Sequence, residues 1–154
     1  MNRYLLIAGI LTFIVALTHV GIVIGGPDWY RFFGAGEMMA QQAEQGLLEP
    51  IVVTLSIAFI LGIWTIYAFA GAGLLPYLPY QMGILKAICG IFLFRGIVGI
   101  PLVILVDHPY LNELHEKMTF MIISSLICLL FALLYFLGIR NMKNHKVGTS
   151  LENN

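Results

Sequence analysis

Charged residues are scarce in this chain. Asp, Glu, Lys and Arg make up 10% of its 154 residues, whereas they average about 25% in soluble domains. Hydrophobic residues make up 60%, and the mean hydropathy is +0.92. The net charge is zero, so the composition gives no reason to expect a nucleic-acid partner. The sequence predicts an integral membrane protein with a single domain, because its length leaves no room for a second folded unit.

Cysteine pairs and catalytic motifs are also missing. Cys89 and Cys128 both fall within apolar runs, and because there is no C-x-x-C motif we interpret them as small buried side chains. No nucleotide-binding loop, nucleophile elbow or H-E-x-x-H motif is present. The sequence therefore names no cofactor and favours a non-enzymatic role. A membrane enzyme that uses His19 and Glu37 as acid and base is a third class, without a recognisable nucleophile or metal beside them.

Four long apolar runs fill most of the chain. Each has about 20 residues, which at 1.5 Å per residue matches the roughly 30 Å hydrocarbon core of a bilayer. The predicted fold is all-α, a four-transmembrane-helix bundle with an amphipathic extracytoplasmic helix between helices 1 and 2. The predicted spans are residues 4–24, 50–70, 82–106 and 118–139, and residues 140–154 form a C-terminal tail. We expect Pro101 to kink the third helix, and the last to begin early, at Pro109 with His108 as cap.

The positive charges are segregated along the chain. On one side of the predicted membrane lie Arg3, Lys86, Arg140, Lys143 and Lys146. On the other side lie Arg31 and Lys117. The positive-inside rule therefore predicts a multi-pass protein of the bacterial cytoplasmic (inner) membrane with both termini in the cytoplasm. The first run is too long for a signal-peptide core and lacks a cleavage site, so we expect it to be retained as a helix.

The segment between the first two runs predicts an amphipathic helix over residues 27–46. Pro27 follows Gly26 and favours a helix start, and Gly46 favours its end. A period of 3.6 residues separates an apolar face from a polar one. The apolar face contains Trp29, Phe32, Phe33, Gly36, Met39, Ala40 and Ala43, and the polar face contains Tyr30, Glu37, Gln41 and Glu44. Two interpretations stay open: an interfacial helix whose acids face water, or a lid that presents Glu37 to the bundle.

Arg95, near the middle of the third run, is the main anomaly. Arginine at the centre of a bilayer costs about 2.5 to 3.5 kcal/mol on insertion scales, so we expect it to face the bundle and to have partners. Most polar side chains of the runs fall in the half of the membrane away from the termini, which indicates an outward-facing intramembrane pocket. The candidate ligand-binding residues are Arg95, His19, Glu37, Ser124 and Thr54, with Glu37 as the countercharge of Arg95.

These residues also have structural interpretations. Arg95 could be a structural tether that donates to carbonyl groups freed by a kink or to a hydroxyl on a neighbour. His19 could be a neutral imidazole that anchors its helix near the interface rather than a proton relay or ligand contact. The group Asp107, His108, His115 and Glu116 is interpreted as a solvated loop rather than a metal site. The two histidines are seven residues apart, a spacing that does not let both reach one ion easily. We assign no metal.

The block GGPDWYRFFGAGE, from Gly25 to Glu37, directly follows the first span. With this block and three further spans, the chain resembles a group of small uncharacterised bacterial four-span integral membrane proteins over nearly its whole length. The resemblance implies the four-span fold and assigns no functional residue. In architecture the chain is also similar to DoxX-type proteins, which are associated with quinone-linked or other membrane complexes.

The sequence supports two functions from different classes. The leading one is binding or transport of a small ligand, anionic or lipid-like, in the outward-facing pocket. The alternative is a non-catalytic subunit or assembly factor of a larger membrane complex, docking through small-residue helix faces such as Ala58 with Gly62. The expected partners are membrane lipids, a small-molecule ligand, and a second copy or a larger complex.

Overall fold

Four long helices form most of the structure. The computed structural model describes residues 1–105 and 118–152, and within these ranges it contains helices and no strand. The helices are α1 (Arg3–Gly25), α2 (Pro27–Phe32), α3 (Glu37–Glu44), α4 (Glu49–Ala72), α5 (Gln81–Leu105) and α6 (Met118–Glu152). Four of them, α1, α4, α5 and α6, are long and apolar enough to cross a membrane. The prediction of an all-α, four-span bundle is therefore confirmed.

The spans pack as two antiparallel pairs. α1 lies along α4, α5 lies along α6, and contacts between α1 and α6 join the pairs. The end that holds the N-terminus and the α4–α5 turn is called the N-terminal end, and the end that holds α2 and α3 is called the loop end. Side chains on the outside of the spans, such as Ile14, Phe59 and Phe94, are apolar and exposed. Such a surface suits lipid tails, which are as apolar as leucine.

An aromatic cluster fills the centre of the bundle. The ring of Phe92 meets Trp64 and Phe131 edge to face, with centroids 5.4 and 5.0 Å away. Phe92 also stacks on Tyr135 at 5.9 Å. The Tyr135 hydroxyl lies 3.1 Å from Thr12 Oγ1, so a hydrogen bond ties α6 to α1 within this buried region. The middle of the bundle is thus packed by rings, with its polar groups bonded to each other.

Asn2 joins three spans at the N-terminal end. Its Nδ2 donates to the carbonyl of Gly138 in α6 at 2.7 Å, and its backbone N–H donates to the carbonyl of Ala72 in α4 at 2.9 Å. Its Oδ1 accepts from the N–H of Leu5 at 3.4 Å, which caps the first turn of α1. Leu5 is 0% exposed and packs against the bare backbone of Gly138. A single polar residue thereby fixes the relative positions of α1, α4 and α6.

The segment between α1 and α4 differs from the single helix predicted over residues 27–46. It contains two short helices, separated at Gly34 and Gly36, whose φ angles are +70° and +98°. These angles suit glycine and interrupt a right-handed helix. The predicted division of this segment into one apolar and one polar helix face is therefore wrong. Tyr30, placed on the polar face, is 1% exposed, and Phe32, placed on the apolar face, is 76% exposed.

The last helix is longer than predicted. α6 continues to Glu152, through the segment interpreted as a tail from residue 140. Residues 139–147 contain neither Gly nor Pro, so nothing local ends the helix there. Pro101 lies inside α5. The helix start predicted at Pro109 and the group Asp107, His108, His115 and Glu116 lie outside the described residues.

Candidate functional site

Arg95 is exposed on α5, which corrects the expectation that it faces the bundle. Its guanidinium lies over Gly99, one turn further along the helix, where Nη1 occupies the position that a Cβ would take. Helix side chains normally lean toward the N-terminus, whereas this one extends toward the C-terminus of α5. That direction leads to the loop end, which α5 reaches about ten residues or 15 Å beyond Arg95. The missing side chain at Gly99 provides the space that permits this orientation.

Ser125 of α6 approaches the same point from the facing helix. It is 1% exposed, and among the described residues its Oγ has no hydrogen-bond partner. A Cβ on Gly99 would lie 3.2 Å from that oxygen. An unpaired buried hydroxyl costs about 1–3 kcal/mol. Gly99 therefore brings a guanidinium and an unsatisfied hydroxyl together at the boundary between α5 and α6, and Arg95, Gly99 and Ser125 are called the Arg95 site.

Three of the other candidate residues lie apart from this site. His19 Nδ1 lies 2.8 Å from a carbonyl one turn earlier in α1, which means that Nδ1 donates the hydrogen bond. Ser124 Oγ donates to a carbonyl three residues earlier in α6, at 3.1 Å. Thr54 is buried on α4. Within residues 1–105 and 118–152, no hydrogen bond joins any of them to Arg95. The bonds of His19 and Ser124 are made within their own helices and do not require a pocket.

Glu37 is bound to Arg31, its neighbour in the loop. Arg31 Nε and Nη2 donate to the two oxygens of Glu37 at 2.8 and 2.7 Å, and Nη2 also donates to Glu44 at 2.8 Å. These hydrogen bonds, first the one to Glu37 and then the one to Glu44, raise the pKa of Arg31 above its usual range. The pairs tie α2 to α3. No ion pair joins Glu37 to Arg95 in the described part of the chain.

The two short helices pack onto the loop end of the bundle. The ring of Trp29 lies against Gly25 at the end of α1, and the ring of Phe120 in α6 lies against Gly34. Tyr30 forms a small core with Ile22 of α1 and residues of α3. This packing places the loop beside the first described turn of α6. Ser125 lies five residues after Phe120, or about 7.5 Å along the helix.

The Arg95 site contains two residues that were not among the predicted binding residues. The proximity of Gly99 could have been predicted from the sequence, because Gly99 lies four residues after Arg95 and thus on the same helix face. The sequence contains no feature that distinguishes Ser125 from Ser124 as the neighbour of Arg95. Adjacent residues on a helix point about 100° apart, and which of the two meets α5 depends on how the helices pack. Among the described residues, no group of three His, Cys, Asp or Glu side chains could hold a metal ion.

Comparison with known proteins gives no match: no family model matches the chain, and no similar curated protein or solved structure is found. The resemblance that rests on the block from Gly25 to Glu37 stays a prediction.

Proposed function

We propose that the protein binds a small anionic amphiphile at the Arg95 site, in the outer half of a bacterial inner membrane, with both termini in the cytoplasm. One observation carries the proposal: an exposed guanidinium on a spanning helix lies beside a buried hydroxyl that has no partner among the described residues. A guanidinium is a planar, permanently charged donor that matches carboxylate and phosphate groups. An anionic group at this site would neutralise a charge that is costly at membrane depth.

The surroundings of Arg95 favour a ligand with an apolar portion. Its neighbours Leu93, Phe94 and Ile97 are exposed and apolar, so the approach to Arg95 leads through lipid rather than through water. A ligand on this path needs a tail that is soluble among acyl chains. The headgroup is a carboxylate or a phosphate, and Ser125 adds a hydroxyl that can donate or accept one hydrogen bond.

Native mass spectrometry of the purified protein tests this function. The protein is exchanged into detergent with phosphatidylglycerol, with a fatty acid, or with phosphatidylcholine. We expect the two anionic amphiphiles to be retained over phosphatidylcholine. Arg95→Gln should lower their retention about tenfold, because a hydrogen bond to a charged group contributes about 1.5–3 kcal/mol. Lys86→Gln is the matched control, because Lys86 is an exposed cation on the same helix. Equal losses in the two variants would show a general charge effect and contradict the proposal.

The exposure of Arg95 also supports the second function, a subunit of a larger membrane complex. A carboxylate on a partner's helix would neutralise the guanidinium as well as a lipid would. Gentle extraction followed by native mass measurement separates the two functions. A larger complex that dissociates in Arg95→Gln favours the subunit. A monomer with bound amphiphile, lost in the same variant, favours the ligand site.

A further inference from the structure

A groove lies between α3 and the first turn of α4, away from the Arg95 site. Its volume is about 580 Å³, within the range of roughly 300–1,000 Å³ that is usual for small-molecule pockets. The walls are mostly apolar and contain Met38, Met39, Leu48, Val52 and Val53. Several of these side chains are exposed, with Leu48 at 70% and Met38 at 60%. The groove is therefore open toward the surroundings of the bundle.

One carboxylate stands at this groove. Gln42 Nε2 donates to Glu49 Oε2 at 2.9 Å, which holds the side chain of Glu49 beside α3. Four acids lie between residues 28 and 49, and they differ in their partners. Asp28, Glu37 and Glu44 all pair with Arg31, whereas Glu49 pairs with no cation among the described residues. Its charge is thus balanced by an amide and by the start of a helix, and not by a positive side chain.

The groove also has a defined position along the span. Glu49 is the first residue of α4, which is a candidate membrane span, and Val52 and Val53 follow within one turn. The carboxylate therefore lies where the apolar run begins, at the level of lipid headgroups, with apolar walls directly below it. An occupant that fits this arrangement has a positive head and an apolar tail.

We propose that this groove binds a phospholipid whose headgroup ends in a primary ammonium. The ammonium carries three N–H donors. Glu49 Oε1 and the amide oxygen of Gln42 are available as acceptors, since the bond between the two side chains uses Oε2 and Nε2. The acyl chain lies along the methionine and valine side chains, and methionine adapts well to such chains. A quaternary trimethylammonium has no N–H to donate, so the site discriminates between the two headgroups.

Competition between two lipids of equal chain length tests the proposal. The full-length protein is equilibrated in detergent with equal amounts of phosphatidylethanolamine and phosphatidylcholine, and bound lipid is measured by native mass spectrometry. We expect phosphatidylethanolamine to be retained about tenfold over phosphatidylcholine, the ratio that one charge-assisted hydrogen bond provides. Glu49→Gln should remove this preference. Asp28→Asn, which changes another exposed acid of the loop, should keep it.

A second pair of variants tests the groove without changing charge. Val53→Trp should fill the groove and lower the retention of phosphatidylethanolamine, whereas Leu55→Trp, at an exposed residue outside the groove, should not. Equal retention of the two lipids by the parent protein would overturn the proposal. A preference for phosphatidylethanolamine that survives Glu49→Gln would also overturn it. A dimer that is lost in Val53→Trp, without any lipid preference, would overturn it as well and would assign the groove to a second copy of the chain. Glu49→Gln should leave retention of phosphatidylglycerol unchanged, which separates this groove from the Arg95 site.

Discussion

Asn2 at the N-terminal end of the bundle is bonded to the protein through its side chain and its backbone, whereas the Arg95 site contains a buried hydroxyl that has no partner among the described residues. At the N-terminal end, Asn2 bonds to backbone groups of three helices. At the Arg95 site, a guanidinium is exposed and the Oγ of Ser125 lacks a partner in the described part of the chain. In a membrane, an unpaired polar group is unfavourable, because lipid tails cannot form hydrogen bonds with it. The bonds of Asn2 therefore stabilise the fold, and the exposed guanidinium and the hydroxyl of Ser125 are the groups on which the proposed binding rests.

The same contrast applies to glycine. Gly138 at the N-terminal end is required by close packing, because a Cβ there would lie 2.5 Å from Leu5 Cγ. Gly99 at the Arg95 site makes room for the end of a flexible arginine side chain. A substitution at Gly138 should therefore damage the fold, and one at Gly99 should damage only the site.

Gly138→Leu should cause the largest loss of stability. The added side chain must enter the space filled by Leu5, including its backbone nitrogen, and overpacking of this kind costs about 3 kcal/mol at the upper end of its usual range. Unfolding in mixed micelles, followed by circular dichroism, measures the change. Gly83→Leu is the control, because no described atom beyond its chain neighbours and the adjacent backbone of its own helix lies within 4 Å of its Cβ position. Equal stability of the two variants would show that α1 and α6 do not pack as described.

Asn2→Ala should lower the free energy of unfolding by about 2 kcal/mol. The change removes the hydrogen bond from Asn2 Nδ2 to the carbonyl of Gly138 and the cap of α1, each of which contributes about 1 kcal/mol. The same unfolding measurement applies, and Arg3→Gln at the neighbouring exposed position is the control. A loss of the same size in Arg3→Gln would indicate a general effect of the N-terminus rather than these bonds.

Removal of a hydroxyl should have different effects in the centre of the bundle and at the Arg95 site. Thr12→Val breaks the bond to Tyr135 and leaves that buried phenol unpaired, so stability should fall by about 1 kcal/mol. Ser125→Ala removes a hydroxyl that has no described partner, so the stability of the ligand-free protein should stay the same or rise. Both values come from unfolding in micelles without added lipid. A loss in Ser125→Ala equal to that in Thr12→Val would mean that its hydroxyl is already satisfied in the free protein.

Arg31→Gln should leave the unfolding of the spans unchanged and expose the loop to protease. Its raised pKa gives stability that is lost only when pH rises through that pKa, which lies above the usual range of arginine. Arg31 therefore stays charged from about pH 5 to 9, and its loss of charge gives no pH dependence there. Cleavage between α2 and α3 should be faster in the variant at every pH in this range. Unchanged cleavage would mean that the ion pairs do not hold the two helices together.

Much of the fold could be predicted from the sequence, because each span is a local apolar run whose length is set by the bilayer. The break between α2 and α3 was missed, since a period of 3.6 residues was extended across Gly34 and Gly36, where positive φ angles interrupt the helix. The Arg95 site could be predicted only in part. The cost of a charge in lipid identified Arg95, but its pairing with Ser125 depends on how α5 packs against α6, and Glu37 was already bound by Arg31.

The proposed binding at the Arg95 site requires the position of the guanidinium over Gly99. Gly99→Ala keeps both Arg95 and Ser125 but places a methyl group where Nη1 lies, and the displaced atom is the end of a flexible side chain. The decisive measurement is retention of phosphatidylglycerol by Gly99→Ala, Arg95→Gln and the double variant. We expect Gly99→Ala to lose most of the retention that Arg95→Gln loses, with no further loss in the double variant. Full retention by Gly99→Ala, or losses that add in the double variant, would contradict it.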